Sequence, residues 1–329
     1  MAKAFEVRNL VKHFGNVHAL DGVSLAAEEG TVFGLLGPNG AGKTTIVRIL
    51  STLLDPTSGT AKVHGLDTTQ EPEKVREIIG LAGQYAAVDE FQTGYENVYM
   101  TGLLYGLKRR EARKRSHDLI ERLGLVEAAD RQVKTYSGGM RRRLDLGASL
   151  VGQPKILFLD EPTTGLDPNS RKDIWAIVRE LVVSGTSILL TTQYLEEADE
   201  LAAQIAVVNE GKVIAEGTSD QLKARLGGDI IELQLEKVAQ HEGALQAIGK
   251  FAKRPADFDE TTATIHVPVT DGSKKLMAIV QALNDAKIRV GSLSLHRPSL
   301  DDVFLELTGQ KTRPVNIKNA KAQGKRGSR

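Results

Sequence analysis

The sequence predicts an α/β domain with a mainly parallel sheet, followed by a smaller α+β domain. Residues 1–226 alternate short apolar runs with amphipathic stretches, as strands and helices do in α/β proteins. Four of these runs are almost continuously apolar, which is typical of parallel strands covered on both faces. Beyond Gly227-Gly228 the pattern changes, so we expect domains over 1–226 and 229–309 and a basic, disordered tail over 310–329.

Composition limits the classes of protein to consider. A chain of 329 residues with 41% hydrophobic content can bury one large core or two unequal ones. The chain has no Cys, which excludes disulfides, thiolate metal sites and cysteine nucleophiles. Because no apolar run approaches the ~18 residues of a membrane span, and the N-terminus lacks the apolar segment of a signal peptide, we expect a cytoplasmic protein.

The charges are unevenly distributed along the chain. Residues 310–329 carry seven Lys or Arg and no acid, which leaves 36 basic against 42 acidic residues in the remainder. An acidic body gives no electrostatic reason to expect nucleic-acid binding. The tail is expected to be solvated, and the alternative is weak contact with anionic lipid headgroups.

Strands of the first domain are predicted at the apolar runs Val32–Leu36, Ile156–Leu159, Ser187–Thr191 and Ile205–Val208. Asn209-Glu210-Gly211 predicts a turn that leads into a hairpin strand from Lys212. In the second domain we predict strands at 230–235, 264–269 and 288–295 and a helix at 274–286. A weak strand signal near 251–258 makes the order β-α-β-β-α-β. Ser299 is expected to cap a final helix that ends at Gly309.

A phosphate-binding loop is predicted between the first of these strands and a helix that starts near Lys43. The segment Gly37-Pro38-Asn39-Gly40-Ala41-Gly42-Lys43-Thr44 matches G-x-x-x-x-G-K-[ST]. Glycines let backbone N–H groups surround phosphate oxygens, and the helix N-terminus adds positive potential. Lys43 would reach the β- and γ-phosphates, and the Thr44 hydroxyl would hold Mg²⁺. The sequence thus predicts binding of ATP and Mg²⁺.

Further motifs resemble those of ABC ATPases, in the right order and spacing over residues 4–226. Ser137-Gly138-Gly139-Met140-Arg141 resembles the signature motif, with Met where Gln is commoner. Ile156–Glu161 resembles the Walker B strand, and Gly165-Leu166-Asp167 resembles the D-loop. Gln84 stands at the position of the Q-loop glutamine. This resemblance implies an ABC ATPase domain of the P-loop NTPase fold, with a helical subdomain.

The resemblance also implies roles for individual residues. Asp160 and Gln84 would help to hold Mg²⁺, and Glu161 would polarise the attacking water as the catalytic base. Thr45 and Asp167 would join the ATP contacts. Phe14 stands where the family places the adenine-stacking aromatic ring, with an ordinary core position as the alternative.

One chain carries one phosphate loop and one signature motif. The Ser137 hydroxyl and the N–H groups of Gly138 and Gly139 would form a second anion site at a helix N-terminus. In the family this site binds the γ-phosphate of ATP held by the other subunit, so the resemblance implies a head-to-tail homodimer. Arg141-Arg142-Arg143 is interpreted as a solvated or phosphate-steering face.

At one position the sequence departs from the family pattern. Gln193 follows the strand Ile188–Thr192, where the family usually places a histidine that contacts the γ-phosphate. An amide can still donate to phosphate, although it carries no proton at neutral pH. We expect Gln193 to replace the histidine in an active enzyme; a slow ATPase that acts as a nucleotide switch is the alternative.

The segment Arg297–Leu305 and the Gln193 motif resemble the daunorubicin/doxorubicin-resistance branch of ABC exporters. That branch implies a separate membrane permease, a location on the cytoplasmic face of the membrane and efflux of drugs or other hydrophobic compounds. An import motor and a non-transport ABC ATPase remain alternatives. Five of the chain's fifteen Phe, Tyr and Trp residues lie between Tyr85 and Tyr105, where they either bind the permease or pack the helical subdomain.

Overall fold

The computed structural model describes residues 2–83, 87–226, 228–253 and 255–308. Gln84, Tyr85, Gly309 and the basic segment 310–329, for which the sequence made predictions, lie outside these residues. None of the helices in the described ranges is both long enough and apolar enough to span a membrane.

The described strands and helices alternate over most of the chain. The strands are β1 (Lys3–Phe14), β2 (Val17–Glu28), β3 (Val32–Leu36), β4 (Ser58–Val63), β5 (Leu66–Asp67), β6 (Ile79–Ala82), β7 (Ile156–Asp160), β8 (Ser187–Thr192), β9 (Gln204–Asn209), β10 (Lys212–Gly217), β11 (Asp229–Leu235), β12 (Asp257–Asp259), β13 (Thr264–Val269) and β14 (Val290–His296). The helices are α1 (Lys43–Leu50), α2 (Pro72–Ile78), α3 (Gly94–Leu104), α4 (Arg109–Arg122), α5 (Gly138–Leu150), α6 (Pro168–Val183), α7 (Leu195–Leu201), α8 (Ser219–Leu226), α9 (His241–Ile248), α10 (Gly272–Asp285) and α11 (Leu300–Thr308).

A six-stranded sheet forms the centre of the first domain, in the order β10-β9-β3-β8-β7-β6. β6, β7, β8, β3 and β9 are parallel, and β10 pairs with β9 as the predicted antiparallel hairpin. Every residue of β3, β7 and β8 is buried, which explains their continuous apolar runs. The carboxyl ends of β3, β7 and β8 therefore meet at one edge, and there each strand leads into a loop with polar residues.

The two faces of the parallel sheet are covered by different elements. Phe33, Leu35 and Phe158 face one core, which α1 shares with the antiparallel sheet β2-β1-β4-β5. Leu157, Leu159 and the alternate residues of β8 face a second core, shared with α6 and the helical subdomain of α3, α4 and α5. This alternation follows from the period of two along each strand. The expected ABC ATPase fold with a helical subdomain is confirmed.

The region after Gly228 is an antiparallel sheet of order β12-β13-β11-β14 with helices α9 and α10 on one face. Its chain order is β-α-β-β-α-β, as predicted, and corresponds to a ferredoxin-like arrangement. The weakly signalled second strand has only three residues, Asp257–Asp259. Ser299 begins α11 with reciprocal bonds, because its hydroxyl accepts from the Asp302 N–H and its own N–H donates to the Asp302 carboxylate.

Helix α11 returns from this region to the ATPase domain. Leu300, Val303 and Phe304 are buried in a third core with Leu36, Leu195, Ala198, Ile205, Val207, Ala215, Leu222 and Ile230. Leu36 is the last residue of β3, directly before the phosphate loop. A core that joins residues on both sides of Gly228 therefore connects the two regions.

Candidate active site

The phosphate loop follows β3 and passes directly into α1. Gly37 is held so close to the chain that an added Cβ would lie 2.2 Å from the Val208 carbonyl oxygen. Gly40 and Gly42 have φ of +82° and +107°, in the region that favours glycine. Gly42 is the N-cap of α1, and glycine has no side chain that could accept hydrogen bonds from the first turn. The N–H groups of that turn therefore remain available to a phosphate.

The other residues of the loop differ in exposure. Asn39, Gly40 and Thr44 are exposed, Pro38 and Thr45 are half-buried, and Ala41 is buried. The Ala41 N–H donates to the Pro38 carbonyl, and the Ala41 carbonyl accepts from the Gly211 N–H in the β9–β10 turn. The β9–β10 turn thus packs against the buried side of the loop, while Asn39 and Gly40 are exposed to solvent.

Lys43 is 4% exposed and lies across its own loop. Its Nζ donates to the carbonyl oxygens of Gly37 at 2.8 Å and Pro38 at 3.0 Å. The Glu161 carboxylate lies 3.5 Å from the same nitrogen. Burial lowers the pKa of Lys43, and the charges of Glu161 and Asp160 oppose this effect. A cation and a carboxylate therefore face each other at the centre of the loop.

Asp160 ends β7, and its carboxylate is hydrogen-bonded to one residue of α1 and one residue of β8. Its Oδ1 accepts from the Thr44 hydroxyl at 3.2 Å and from the Thr191 hydroxyl at 2.5 Å. Parallel pairing of β7 with β8 sets Asp160 opposite Thr191, which explains why these side chains meet. The site brings together Thr44 and Asp160, the two described residues that the sequence predicted as Mg²⁺ ligands.

Glu161 adopts an unusual backbone conformation. Its φ is +50°, in the left-handed region that costs a non-glycine residue energy. The Thr191 carbonyl and hydroxyl oxygens both accept from the Glu161 N–H, at 3.1 and 3.0 Å. Thr164 donates its hydroxyl to the carboxylate at 3.2 Å. The bend turns the chain after β7 so that the carboxylate points toward Lys43.

The signature motif lies at the N-terminus of α5, as predicted. The Ser137 hydroxyl accepts from the Met140 N–H, and Ser137 and Gly138 are exposed. An added Cβ on Gly139 would lie 2.4 Å from the Ser170 hydroxyl, so a larger residue here would displace the Ser170 side chain. Among the described residues, no hydrogen bond or ion pair joins Ser137, Gly138 or Gly139 to loop 37–44. These residues form a cluster of their own.

Asp167 stands beside that cluster and caps α6. Its carboxylate accepts from the N–H groups of Asn169 and Ser170 and from the Ser170 hydroxyl at 2.6 Å. The hydroxyl bond, followed by the backbone bonds, lowers the pKa of Asp167. Asp167 is exposed next to the signature glycines, where a second chain could reach it.

Gln193 and Phe14 complete the predicted residues. Gln193 is half-buried in the turn between β8 and α7, two residues after Thr191. Phe14 ends β1 and is 48% exposed, so the alternative of a core position is wrong. The Lys12 ammonium lies 5.2 Å from the centre of the Phe14 ring. An exposed ring with a flanking cation is compatible with a base stacked on it.

The interpretation of Arg141-Arg142-Arg143 as a solvated face was wrong for its middle residue. Arg142 is 7% exposed and pairs with Asp145 at 3.3 Å, whereas Arg141 binds Glu90 at the surface. Two further buried groups were missed. Thr191 joins Asp160 to Glu161, and Glu197 of α7 accepts from the Trp175 ring N–H at 3.0 Å. An Arg-Asp pair three residues apart on an apolar helix face was the available signal for Arg142.

This fold and this loop define a P-loop nucleoside triphosphatase. The family model described as "ABC transporter" matches residues 20–164, and the model for the C-terminal domain of DrrA1-3-like ATP-binding proteins matches residues 217–308.

Known relatives extend the match over nearly the whole chain. The daunorubicin resistance ATP-binding protein DrrA2 of Streptomyces coeruleorubidus is 51% identical over 317 residues, with 96% of this chain and 98% of that protein covered. The doxorubicin resistance ATP-binding protein DrrA of Mycobacterium tuberculosis strain H37Rv is 45% identical, with 91% of each covered. A dimeric ATP-binding cassette solved with ADP and Pi superposes with a TM-score of 0.60 at 25% identity, covering 65% of this chain and 98% of that one.

The chain belongs to the ATP-binding proteins of ABC transporters, in the branch of the daunorubicin and doxorubicin resistance ATPases. It is therefore an ATP-binding ABC ATPase, and the resemblance stated from its motifs is confirmed.

Proposed function

We propose that this chain hydrolyses ATP at loop 37–44 and uses the energy to drive a separate membrane permease that exports drugs or other hydrophobic compounds. The observation that carries the proposal is the 3.5 Å approach of the Lys43 ammonium to the Glu161 carboxylate beside the loop. Lys43 would contact the β- and γ-phosphates, Glu161 would accept a proton from the attacking water, and Gln193 would donate its amide to the γ-phosphate.

The donor set at the edge of β7 fits Mg²⁺. The Thr44 hydroxyl and the Asp160 carboxylate already share a hydrogen bond, and both offer the oxygen ligands that this ion prefers. Among the described residues no group of three or more acidic or His side chains is arranged as a metal cage. The Thr44 and Asp160 oxygens suit an ion held by one or two protein ligands together with phosphate oxygens. Gln84 stays a predicted third contributor. When bound, Mg²⁺ would neutralise charge on the phosphates.

Two chains would be needed for two complete sites. The exposed Ser137 and Gly138 at the start of α5 would bind the γ-phosphate of ATP held by the partner's loop, with Asp167 alongside. Support comes from the separation of this cluster from loop 37–44 within one chain. The similar cassette solved with ADP and Pi is described as dimeric.

Our proposed contact for the permease is the set of exposed apolar side chains on and next to α3, called the α3 patch. Met100 and Leu104 of α3 are 46% and 81% exposed, and Phe91, shortly before the helix, is 74% exposed. Tyr95 and Tyr99 of the same helix stack with ring centres 6.0 Å apart. Large apolar side chains in a group favour an interface. The protein would then lie at the cytoplasmic face of the membrane, where the basic tail would add weak attraction to anionic headgroups.

The first test is ATP turnover by the purified chain at several protein concentrations, beside the variant Glu161→Gln. Turnover should rise more than linearly with concentration and disappear in the variant, because each site needs two chains and its own base. ATP binding without turnover in the presence of Mg²⁺ would favour the nucleotide-switch alternative.

The permease contact needs a separate test. Phe91→Ser and Leu104→Ser should lower co-purification with the co-expressed permease and leave basal ATP turnover unchanged, since neither side chain lies in the ATP site. Val183→Ser, on an equally exposed side chain of α6, is the matched control. Unchanged co-purification of all three variants would exclude this patch as the contact.

A further inference from the structure

Arg142 is a buried residue of α5 whose guanidinium donates to four different residues. Its Nε donates to the Pro162 carbonyl at 2.7 Å, and its Nη2 donates to the Asp160 carbonyl at 3.4 Å. Nη1 donates to the Gly83 carbonyl at 2.5 Å and to the Asp145 carboxylate at 3.3 Å. One guanidinium thus binds the residues directly before and directly after Glu161.

Asp145 extends the same network by one further bond. Its Oδ1 accepts from the Ala87 N–H at 2.8 Å, while its Oδ2 faces Arg142. Together the pair holds the carbonyl of Gly83 and the amide of Ala87, at the two ends of the segment that contains Gln84. The ion pair therefore contacts three parts of the chain: the signature helix, the catalytic loop, and the residues Gly83 and Ala87.

The contacts explain how Glu161 keeps its left-handed conformation. A residue in a sparsely populated region of φ and ψ persists only when its surroundings fix it. Thr191 fixes the amide of Glu161, and Arg142 fixes the carbonyls on either side of it. Without Arg142 the bend would still be held by Thr191 and by Thr164, whose N–H donates to the Glu161 carbonyl at 3.3 Å. The carbonyls of Asp160 and Pro162 would lose their shared donor, however, so the backbone that aims the carboxylate could shift.

We propose that Arg142, supported by Asp145, is a positioning residue for Glu161 of the same chain and connects the signature helix to the catalytic loop. The inference rests on the proposed function, in which Glu161 is the base and the start of α5 serves the partner's site. Arg142 touches no reacting atom and acts through the backbone of residues 160–162.

The chemistry of the contacts calls for arginine. A guanidinium presents five N–H donors in a rigid plane and reaches several acceptors at once, whereas a lysine ammonium is a point charge on a flexible stem. Arg142→Lys should therefore keep the charge pair with Asp145 and lose the bonds to at least one flanking carbonyl. This separates the charge from the geometry.

The first experiment compares Arg142→Met with the double variant Arg142→Met/Asp145→Leu. The single change leaves a buried carboxylate without its partner and should lower the melting temperature, and the double change should restore most of it. Because a displacement of about 1 Å can cost up to ~100-fold in rate, we expect kcat to fall at least about tenfold in both variants, with KM for ATP changed less than about twofold. Recovery of kcat together with melting temperature in the double variant would overturn the proposal.

A second experiment distinguishes the two chains of a dimer by differently tagged copies. In one mixed dimer the double variant is paired with Glu161→Gln, so that the active base lies in the chain that lacks Arg142. In the other mixed dimer, one chain carries Glu161→Gln together with both changes of the double variant, and its partner is unaltered. The active base then lies in the chain that retains Arg142. The first should be slow, and the second should match the dimer of an unaltered chain with Glu161→Gln. Equal loss in both would contradict positioning within one chain.

Hydrogen exchange supplies a readout that needs neither turnover nor dimers. Amides of residues 161 and 163–166 should exchange faster in Arg142→Met/Asp145→Leu than in the unaltered chain, while those of β13 stay unchanged. Unchanged exchange at 161 and 163–166 would overturn the inference even if the proposed function held. Absence of turnover in the unaltered chain would count against the proposed function alone, because the exchange measurement still decides the role of Arg142.

Discussion

At Thr191 and Gln193, the geometry of the site depends on a single side-chain group. Thr191 has one hydroxyl, and it donates to Asp160 and accepts from the Glu161 N–H. Nothing in the sequence distinguishes Thr191 from Thr192 beside it. Only the parallel register with β7 places Thr191 opposite Asp160, so the sequence could predict the acidic pair but not the group that joins its members.

The role of Gln193 is testable by a pair of substitutions. Gln193→Ala should lower kcat about tenfold or more, because it would remove the proposed amide donor to the γ-phosphate, where charge develops. Gln193→His should retain turnover, since a ring N–H can donate from the same position. Steady-state turnover as a function of ATP concentration measures both. Turnover of Gln193→Ala at the parent rate would refute the assignment.

Glu197 gives the protein a distinctive dependence of stability on pH. It is fully buried, and burial raises its pKa above the usual 4.5, opposed by donors that include the Trp175 ring N–H. An acid with a raised pKa in the folded state contributes most to stability below its unfolded pKa. That contribution is lost as pH rises through the folded pKa, at about 1.4 kcal/mol for each unit of the difference.

Glu197→Gln should therefore become more stable relative to the parent as pH rises above about 4.5, with no relative gain below it. Urea denaturation at a series of pH values measures the difference in the free energy of unfolding. Glu196→Gln, at an exposed neighbour, is the matched control and should run parallel to the parent. A constant difference across the pH range for Glu197→Gln would contradict the raised pKa.

Helix α11 is the element whose position the sequence did not reveal. Its cap and its apolar residues were predicted, and both are observed. Helical spacing shows that Leu300, Val303 and Phe304 face a core, but it cannot say which core. They pack with α7 and α8 of the ATPase domain, so a boundary drawn at Gly227-Gly228 from composition does not describe where apolar side chains meet.

Phe304→Ala tests this packing. Loss of a buried Phe side chain typically costs about 3–5 kcal/mol, and here the cost should appear in the unfolding of the ATPase domain itself. Leu307→Ala on the same helix is the control, because Leu307 is exposed and its truncation should cost little. Denaturation followed by Trp175 fluorescence measures both, since Trp175 is the only Trp and lies in α6. Equal effects of the two variants would show that α11 does not stabilise the ATPase domain.

On the scale of the whole molecule, the third core should make the two regions unfold together. The phosphate loop follows Leu36, which belongs to the core that also holds Phe304 and Ile230. A ligand that binds only the folded state raises the unfolding free energy of the whole cooperative unit that contains its site. At a ligand concentration of 100 times Kd the increase is about 2.7 kcal/mol.

ATP with Mg²⁺ at that excess should therefore raise the unfolding free energy reported by Trp175 fluorescence and by hydrogen exchange of β13 by similar amounts. In Phe304→Ala the increase at β13 should be smaller than at Trp175, because the connection is weakened. If ATP did not slow hydrogen exchange of the β13 amides in the unaltered chain, the two regions would unfold independently.

The return of α11 also has a consequence for synthesis on the ribosome. The strand that precedes the phosphate loop is made early, whereas Phe304, which packs into the same core, is made near the end of the described chain. Until then Leu36, Leu195 and Leu222 have an uncovered apolar side, which a chaperone could bind. The third core of the nascent ATPase domain therefore stays incomplete until Leu300, Val303 and Phe304 have left the exit tunnel.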